Sequence, residues 1–299
     1  MTFARTLRAP AKINLTLEVL DAPQGGLHKL RSVMVPIGIY DEIGITSHGE
    51  SAGFTTSHPQ LANENLVVRA LRLLDVDLNS LAIHLHKGIP VAAGLGGGSS
   101  DAATILIAAS NGFFGNRSDR DFLALANALG SDVTFFLTQT GALVEGSGER
   151  ATAIGALPSW WSVVIHPPLA VSTAMAYAEL DRARAGRRKR PPRRDSASLR
   201  VVSALQAADL STVQHLLAND FQSIIAECHA SVRDAIAALR LAGAINPTLT
   251  GTGSCVFALA QTENEARTLA SRLHLPPGFH TYVAAFDDSR VWAGGPQTR

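Results

Sequence analysis

The segment Pro90-Val91-Ala92-Ala93-Gly94-Leu95-Gly96-Gly97-Gly98-Ser99-Ser100-Asp101-Ala102-Ala103 places four glycines in the five positions 94–98 and runs them into two hydroxyls, an acid and an apolar stretch. Glycine lacks a Cβ, so backbone N–H groups can face an anion at close range, and the helix that follows adds unpaired amides at its positive end. The segment therefore predicts a phosphate cradle leading into a buried helix. A Walker A loop needs Lys before Ser or Thr after its last glycine, and none is present. The loose Gly94, Gly96, Ser99 spacing resembles a dinucleotide turn, but that turn opens at the end of its strand. Here the expected strand Leu81 to His86 is separated from Gly94 by residues 87–93. A purely structural glycine turn is the remaining alternative.

The 299 residues, 46% of them hydrophobic, can bury a large core, and their number suggests two domains. No apolar run approaches the ~18 residues of a membrane span, and the N-terminus has no secretory apolar core, so a soluble cytoplasmic protein without a membrane partner is expected. Cys228 and Cys255 are the only cysteines and read as reduced, buried thiols. Nine Lys or Arg against Asp195 give residues 182–200 a charge of +8 within a chain of net +1, leaving the remainder at −7. That stretch has no apolar period and no interleaved aromatics, so it reads as a solvated basic loop, and no nucleic-acid partner is expected. A basic-loop nucleic-acid binder is kept as an alternative.

Alternation over Ala11 to Val19 predicts a half-buried strand with Lys12 and Asn14 on its polar face. Further strands are expected at Ser32 to Ile39, Glu42 to Thr46 (with Asp41 in a turn), Leu81 to His86, Val163 to Ile165, Val256 to Ala260 and Thr281 to Ala285. Helices are expected from a cap at Asn63 through Leu74, over Ala102 to Ala109, from a cap at Ser118 to Gly130, and over Val201 to Leu217, Ser231 to Leu241 and Asn264 to Leu273. Strands and helices mix without strict alternation, which favours an α+β architecture over a doubly wound sheet.

Asp132 follows Gly130 and precedes Phe135-Phe136-Leu137, which delivers an acid to the edge of an apolar wall. Such a carboxylate can accept the proton of a substrate hydroxyl, and a cation such as Lys12 can stabilise the resulting alkoxide. Taken singly, Asp132 is more often a helix C-terminal or turn residue and Lys12 a solvated strand lysine; their joint appearance with the glycine loop favours the catalytic reading. Thr250-Gly251-Thr252-Gly253-Ser254 precedes a strand and implies close backbone approach or a packing turn. His84 and His86 share one face of a strand without further spaced ligands, so no metal centre is assigned to them.

Together these segments resemble the GHMP kinase superfamily. The residues that carry the resemblance are Ala9-Pro10-Ala11-Lys12-Ile13-Asn14-Leu15, Gly26-Leu27-His28, Glu64 to Ala70, the glycine loop, Gly130-Ser131-Asp132-Val133, Gly146 to Glu149, Val171 to Ala174 with Tyr177, Asn219-Asp220 and the Thr250 to Ser254 turn. They cover nearly the whole chain to Phe286. The resemblance implies an α+β, two-domain fold. A ribosomal-protein-S5-like domain at 1–158 would hold the ATP phosphate loop and the catalytic pair. A ferredoxin-like α/β sandwich at 159–299 would carry the basic loop.

The resemblance also implies an ATP- and Mg²⁺-dependent kinase, with Asp132 as base and Lys12 as its electrostatic partner. Gly94, Leu95, Gly96, Gly97, Gly98, Ser99 and Ser100, with Pro90, would cradle the ATP phosphates, and Asn65, Leu66 and Lys87 would lie near the adenine. The acceptor side would comprise Asn14, His28, Tyr177, Thr173, Gly251 and Thr252, with His28 bonded to and Tyr177 stacked on a cytosine. Its substrate would be a cytidyl-diphosphate alcohol of the non-mevalonate route to isoprenoid precursors, phosphorylated on its 2-hydroxyl. Mg²⁺ ligands and oligomeric state are left open. Leu27 stands where the family has Tyr, and Thr134 where it has Pro. A sister kinase for another alcohol and a non-catalytic nucleotide-binding relative are the alternatives.

Overall fold

The computed structural model describes residues 4–20, 28–47, 52–62, 65–117, 119–185 and 196–287. In chain order the elements are β1 (Ala4–Val19), β2 (Leu30–Ser47), β3 (Gly53–Thr56), α1 (Leu66–Leu73), β4 (Leu81–His86), α2 (Gly97–Ser110), α3 (Phe122–Leu129), α4 (Ser131–Leu137), β5 (Ala142–Gly146), β6 (Arg150–Ala153) and β7 (Trp161–His166). There follow α5 (Thr173–Arg184), α6 (Ala197–Gln206), α7 (Leu210–Leu216), β8 (Ala218–Asn219), α8 (Gln222–Cys228), α9 (Ala230–Leu241), β9 (Thr248–Leu249), β10 (Val256–Ala260), α10 (Glu263–Ser271) and β11 (His280–Ala285). The mixture is α+β, as the non-alternating pattern predicts.

A seven-stranded sheet runs β3-β4-β2-β1-β8, with β5 pairing β2 and carrying β6 at its outer side, and a four-stranded antiparallel sheet runs β11-β7-β10-β9. Helices α1 to α4 cover one face of the larger sheet, where Leu71, Ile105, Leu106, Phe135 and Phe136 meet Ile43, Ile45, Ile83 and Leu85. The other face packs towards the smaller sheet, with Ile13, Val35 and Ile37 in one core with Trp160, Phe257 and Leu259. A third cluster lies under α5, α8, α9 and α10.

Several expectations change. Ser32 to Ile39 and Glu42 to Thr46 are one strand: the irregularity falls at Gly38-Ile39, which β1 passes over between the pairs Ala11↔Ile37 and Pro10↔Tyr40. Asp41 is consequently a buried strand residue and not a turn residue. The polar face of β1 is covered too, with Lys12 2% and Asn14 1% exposed.

The expected helix Val201 to Leu217 breaks at Ala208, whose φ of +52° interrupts the ladder before Asp209 caps α7 through Thr212 N–H. Helix α1 is capped by Asn65, whose Oδ1 accepts from Val67 N–H; the expected cap Asn63 lies outside the described residues, as does Ser118. Asp121 caps α3 instead. Cys255 is buried as expected, but Cys228 is exposed. His84 and His86 are exposed on β4. Leu27 and residues 186–195 of the basic stretch lie outside the described residues.

Candidate active site

Two bulges in β1 set the site. Its register against β2 shifts between Pro10 and Ala11 and again between Asn14 and Thr16, so Lys12 and Asn14 sit on a short offset segment between the two. Bulges re-aim side chains in this way beside functional sites. The Lys12 backbone N–H donates to Leu95 O at 2.9 Å, which stitches β1 to the glycine loop. Gly96, with φ +74°, caps α2, and a Cβ there would lie 3.1–3.2 Å from the Lys12 stem and Phe136. Gly94, with φ +80°, has a different role: its Cβ would stand 2.2 Å from the Thr250 carbonyl oxygen. Its bare Cα is needed for packing on the Thr250 to Ser254 turn as much as for any ligand.

Lys12 Nζ donates to Asn14 Oδ1 at 2.6 Å and to Gly94 O at 2.8 Å, and lies 3.8 Å from Asp132 Oδ2. Burial lowers the Lys12 ammonium from its ordinary value, and the Asp132 carboxylate opposes that fall. Asp132 occupies the first turn of α4, immediately after the junction at Gly130, so it begins a helix where a helix C-terminus was the bland expectation. Its side chain is 32% exposed, which makes it the carboxylate of the pair that a ligand can reach. Thr134 donates to Asn127 Oδ1 at 3.1 Å and ties α4 to α3.

These groups line a cleft of about 730 Å³. Lys12, Asn14, His28, Gly94, Gly96, Ser99, Asp132, Thr173, Tyr177, Gly251 and Thr252 all face it, so residues far apart in the chain are brought together. Thr173 and Thr252 hydroxyls approach to 3.3 Å across it. His28 Nε2 is 2.8 Å from Asp181 Oδ1, and the His28 ring lies tilted on Tyr177 with centroids 4.8 Å apart. Phe221 meets Tyr177 edge-on at 4.9 Å and also lines the cleft, so Tyr177 is not its only aromatic wall. Asn14 is largely committed inside the protein. Its Oδ1 takes Lys12 Nζ and Gly251 N–H, and its Nδ2 donates to Ser32 Oγ at 2.8 Å.

The remaining expected site residues are not in this lining. Leu95 is buried behind the loop, and Gly98 is exposed on its rim. Asn65 caps α1, and Leu66 Cδ1 stands 3.6 Å from where a Gly98 Cβ would be. Lys87 is 4% exposed and pairs with two carboxylates, Asp41 and, at 2.9 Å, Asp101. Its ammonium is thus a strut beneath the loop. Burial alone would lower its pKa, but Asp101 and Asp41 raise it on balance. Burial drives Asp101 up to about 8, against the pull of Lys87. Asp41 Oδ1 also accepts Gly88 and Ile89 N–H at 2.8 Å, whereas Asp101 Oδ1 and Ser100 Oγ have no partner among the described residues.

Sequence reasoning gave no site role to Asp41, Asp101, Phe221 or Asp181, nor to Ser131 and Ser147 of the matched motifs, and expected Lys87 at the adenine and not in an ionic cluster. The available signals were acids embedded in apolar runs (Asp41, Asp101) and an aromatic directly after Asn219-Asp220. Among the described residues no group of three His, Cys, Asp or Glu could hold a metal, and no helix is long and apolar enough to cross a membrane.

Comparison with known proteins agrees with this geometry. The family model for the GHMP kinases N terminal domain matches residues 65–140, and that for the GHMP kinases C terminal matches residues 201–276. A 4-diphosphocytidyl-2-C-methyl-D-erythritol kinase of Lachnoclostridium phytofermentans is 32% identical over 95% of this chain and 98% of its own. One of Geobacter metallireducens is 36% identical over 90% and 93%. A crystal structure of 4-(cytidine 5'-diphospho)-2C-methyl-D-erythritol kinase superposes with a TM-score of 0.72 at 29% identity, covering 95% of this chain and 99% of that one. The chain belongs to the GHMP kinases, in the 4-diphosphocytidyl-2-C-methyl-D-erythritol kinase family.

Proposed function

We propose that this kinase transfers the γ-phosphoryl group of ATP to the 2-hydroxyl of 4-diphosphocytidyl-2-C-methyl-D-erythritol, in the non-mevalonate route to isoprenoid precursors in the cytoplasm. The observation that carries the reading is the Lys12–Asp132 pair at 3.8 Å, set in a cleft that the glycine loop and the aromatic group of His28, Tyr177 and Phe221 both line. In this reading 1–158 supplies the phosphate loop, the catalytic pair and His28 of the acceptor wall, and 159–299 supplies Thr173, Tyr177, Phe221, Gly251 and Thr252 of that wall.

Asp132 accepts the proton of the acceptor hydroxyl as its oxygen bonds to the γ-phosphorus and the bond to the ADP oxygen breaks. Lys12, whose other N–H bonds are fixed on Asn14 and Gly94, keeps one donor for the negative charge that develops on the attacking and transferred oxygens. The loop amides of 94–100 hold the phosphates, and Asn14 acts by orienting Lys12 more than by touching substrate. Among the described residues Asp132 is the one carboxylate lining the cleft, so Mg²⁺ would be held chiefly by the nucleotide phosphates and not by a cage of acids, and Asp132 is left to act as base. When bound, Mg²⁺ would neutralise phosphate charge.

Incubating the protein with ATP, Mg²⁺ and a panel of alcohols tests the assignment. Phosphorylation of the cytidyl-diphosphate methylerythritol well above homoserine and mevalonate is expected. Faster turnover of an alcohol without cytidine would hand the assignment to a sister kinase, and no turnover of any would favour a non-catalytic nucleotide binder.

A further inference from the structure

The ammonium of Lys12 has three N–H bonds. Two are fixed by neutral oxygens, Asn14 Oδ1 at 2.6 Å and the Gly94 carbonyl at 2.8 Å, and the third is left on the side of Asp132. Where that third bond points is decided by where those two oxygens are held. One hydroxyl lies behind both: Thr250 Oγ1 is 3.2 Å from Asn14 Oδ1 and 3.2 Å from Gly94 O. It carries a single proton, so it donates to one of the two at a time, while accepting the Asn14 backbone N–H at 3.1 Å. Thr250 is fully buried and is not in the cleft lining.

Thr250 is itself rigidly placed. It follows β9, its N–H donates to Cys255 O at 3.0 Å and its carbonyl receives Gly253 N–H at 3.0 Å, so the four-stranded sheet fixes it. The next residue adds a bond from Gly251 N–H to Asn14 Oδ1 at 2.8 Å. The close approach of Gly94 to the Thr250 carbonyl leaves no slack between loop and turn.

We infer that Thr250 is a positioning residue for phosphoryl transfer: from the turn after β9 it brackets the two oxygens that orient Lys12, so the smaller sheet completes the cation site of the larger one. The inference rests on the reading of Lys12 and Asp132 as the catalytic pair. A misplacement of about 1 Å at a reacting group can cost on the order of 100-fold, and Thr250 has the leverage to cause one without touching either substrate.

The test combines steady-state kinetics with ¹⁵N nuclear magnetic resonance of the lysine ammonium groups at acidic pH, where a buried, hydrogen-bonded ammonium exchanges slowly. The Lys12 signal is assigned by its loss in Lys12→Met. Thr250→Val should displace or broaden that signal and lower kcat about 10- to 100-fold, with KM for ATP and for the alcohol changed less than about threefold. Thr250→Ser, which keeps the hydroxyl, should restore both readouts. Thr250→Ala makes the same deletion without the added methyl, should Val disturb folding. A Lys12 signal and kcat both at wild-type values in Val and Ala variants would overturn the proposal. Lowered kcat with an unmoved signal would overturn the route through Lys12. A displaced signal with unchanged kcat would keep Thr250 as the support of Lys12 and refute the catalytic reading of Lys12 instead.

Discussion

Gly94→Ala is the substitution whose effect the structure specifies most fully. Gly94 has φ +80°, a region that costs an L-residue about 1–2 kcal/mol. The new Cβ would also stand 2.2 Å from the Thr250 carbonyl oxygen and 3.1 Å from that of Gly253, both backbone atoms. An ordinary carbon–oxygen contact is about 3.3 Å, so loop and turn must part by roughly 1 Å. Overpacking of that kind adds about 1–3 kcal/mol, for a total near 2–5 kcal/mol. At roughly 2–4 °C per kcal/mol for a chain of this size class, Tm should fall by about 4–20 °C. The Gly94 carbonyl that holds Lys12 moves with the loop, so kcat should fall on the order of 100-fold.

Gly98→Ala is the matched control. Its Cβ would meet only Leu66 Cδ1 at 3.6 Å, and its φ is not in the left-handed region. Differential scanning calorimetry should find its Tm unchanged. A Gly94→Ala protein with wild-type Tm and kcat would refute the claim that this glycine joins the loop to the turn.

Three further outcomes follow from named contacts. Lys87→Met leaves the buried Asp41 carboxylate without its cation and Asp101 without its hydrogen-bond donor and should cost about 3–5 kcal/mol in urea unfolding; a loss below about 1 kcal/mol would remove Lys87 from the fold's supports. Asp101 is held at about 8 against 3.8 for a free carboxyl, so between those values the native chain keeps a proton that the unfolded chain has released. Stability should therefore decline as pH rises from about 4 to 8 and level off above, and Asp101→Asn should flatten that decline in Tm measured against pH. Tyr177→Ala should lower kcat/KM for the cytidyl substrate by roughly fivefold, the low end of the stacking range of about 1–3 kcal/mol, because Phe221 remains in the cleft; unaltered kcat/KM would place the base elsewhere.

The buried helix behind the glycine loop and strands β1, β4, β7, β10 and β11 were legible because local pattern and tertiary environment agree there, whereas the short strands β3, β5, β6, β8 and β9 were not. Ser100 to Ala109 are buried in α2, as an almost wholly apolar run requires. Lys12 and Asp132 were legible as a pair only through their association with the loop. What failed to show was decided by contacts between distant segments. Asp41 reads as a turn residue because an acid between two apolar runs ordinarily is one, yet Lys87 and the amides of Gly88 and Ile89 make it a buried anion. Asn14 reads as a ligand contact, but its polar atoms are engaged by Lys12, Ser32 and Gly251. The break at Ala208 carries no Gly or Pro and is set by where Asp209 finds Thr212 to cap.

Single-turnover transfer from γ-labelled ATP to 4-diphosphocytidyl-2-C-methyl-D-erythritol, compared between the wild-type chain and Asp132→Asn, tests the central assignment most directly. Removal of the base should slow the chemical step by about 10²–10⁴ while the Kd for ATP stays within about twofold. A transfer rate in Asp132→Asn equal to wild type would contradict the account, since the cleft carboxylate that faces Lys12 would then have no part in the reaction.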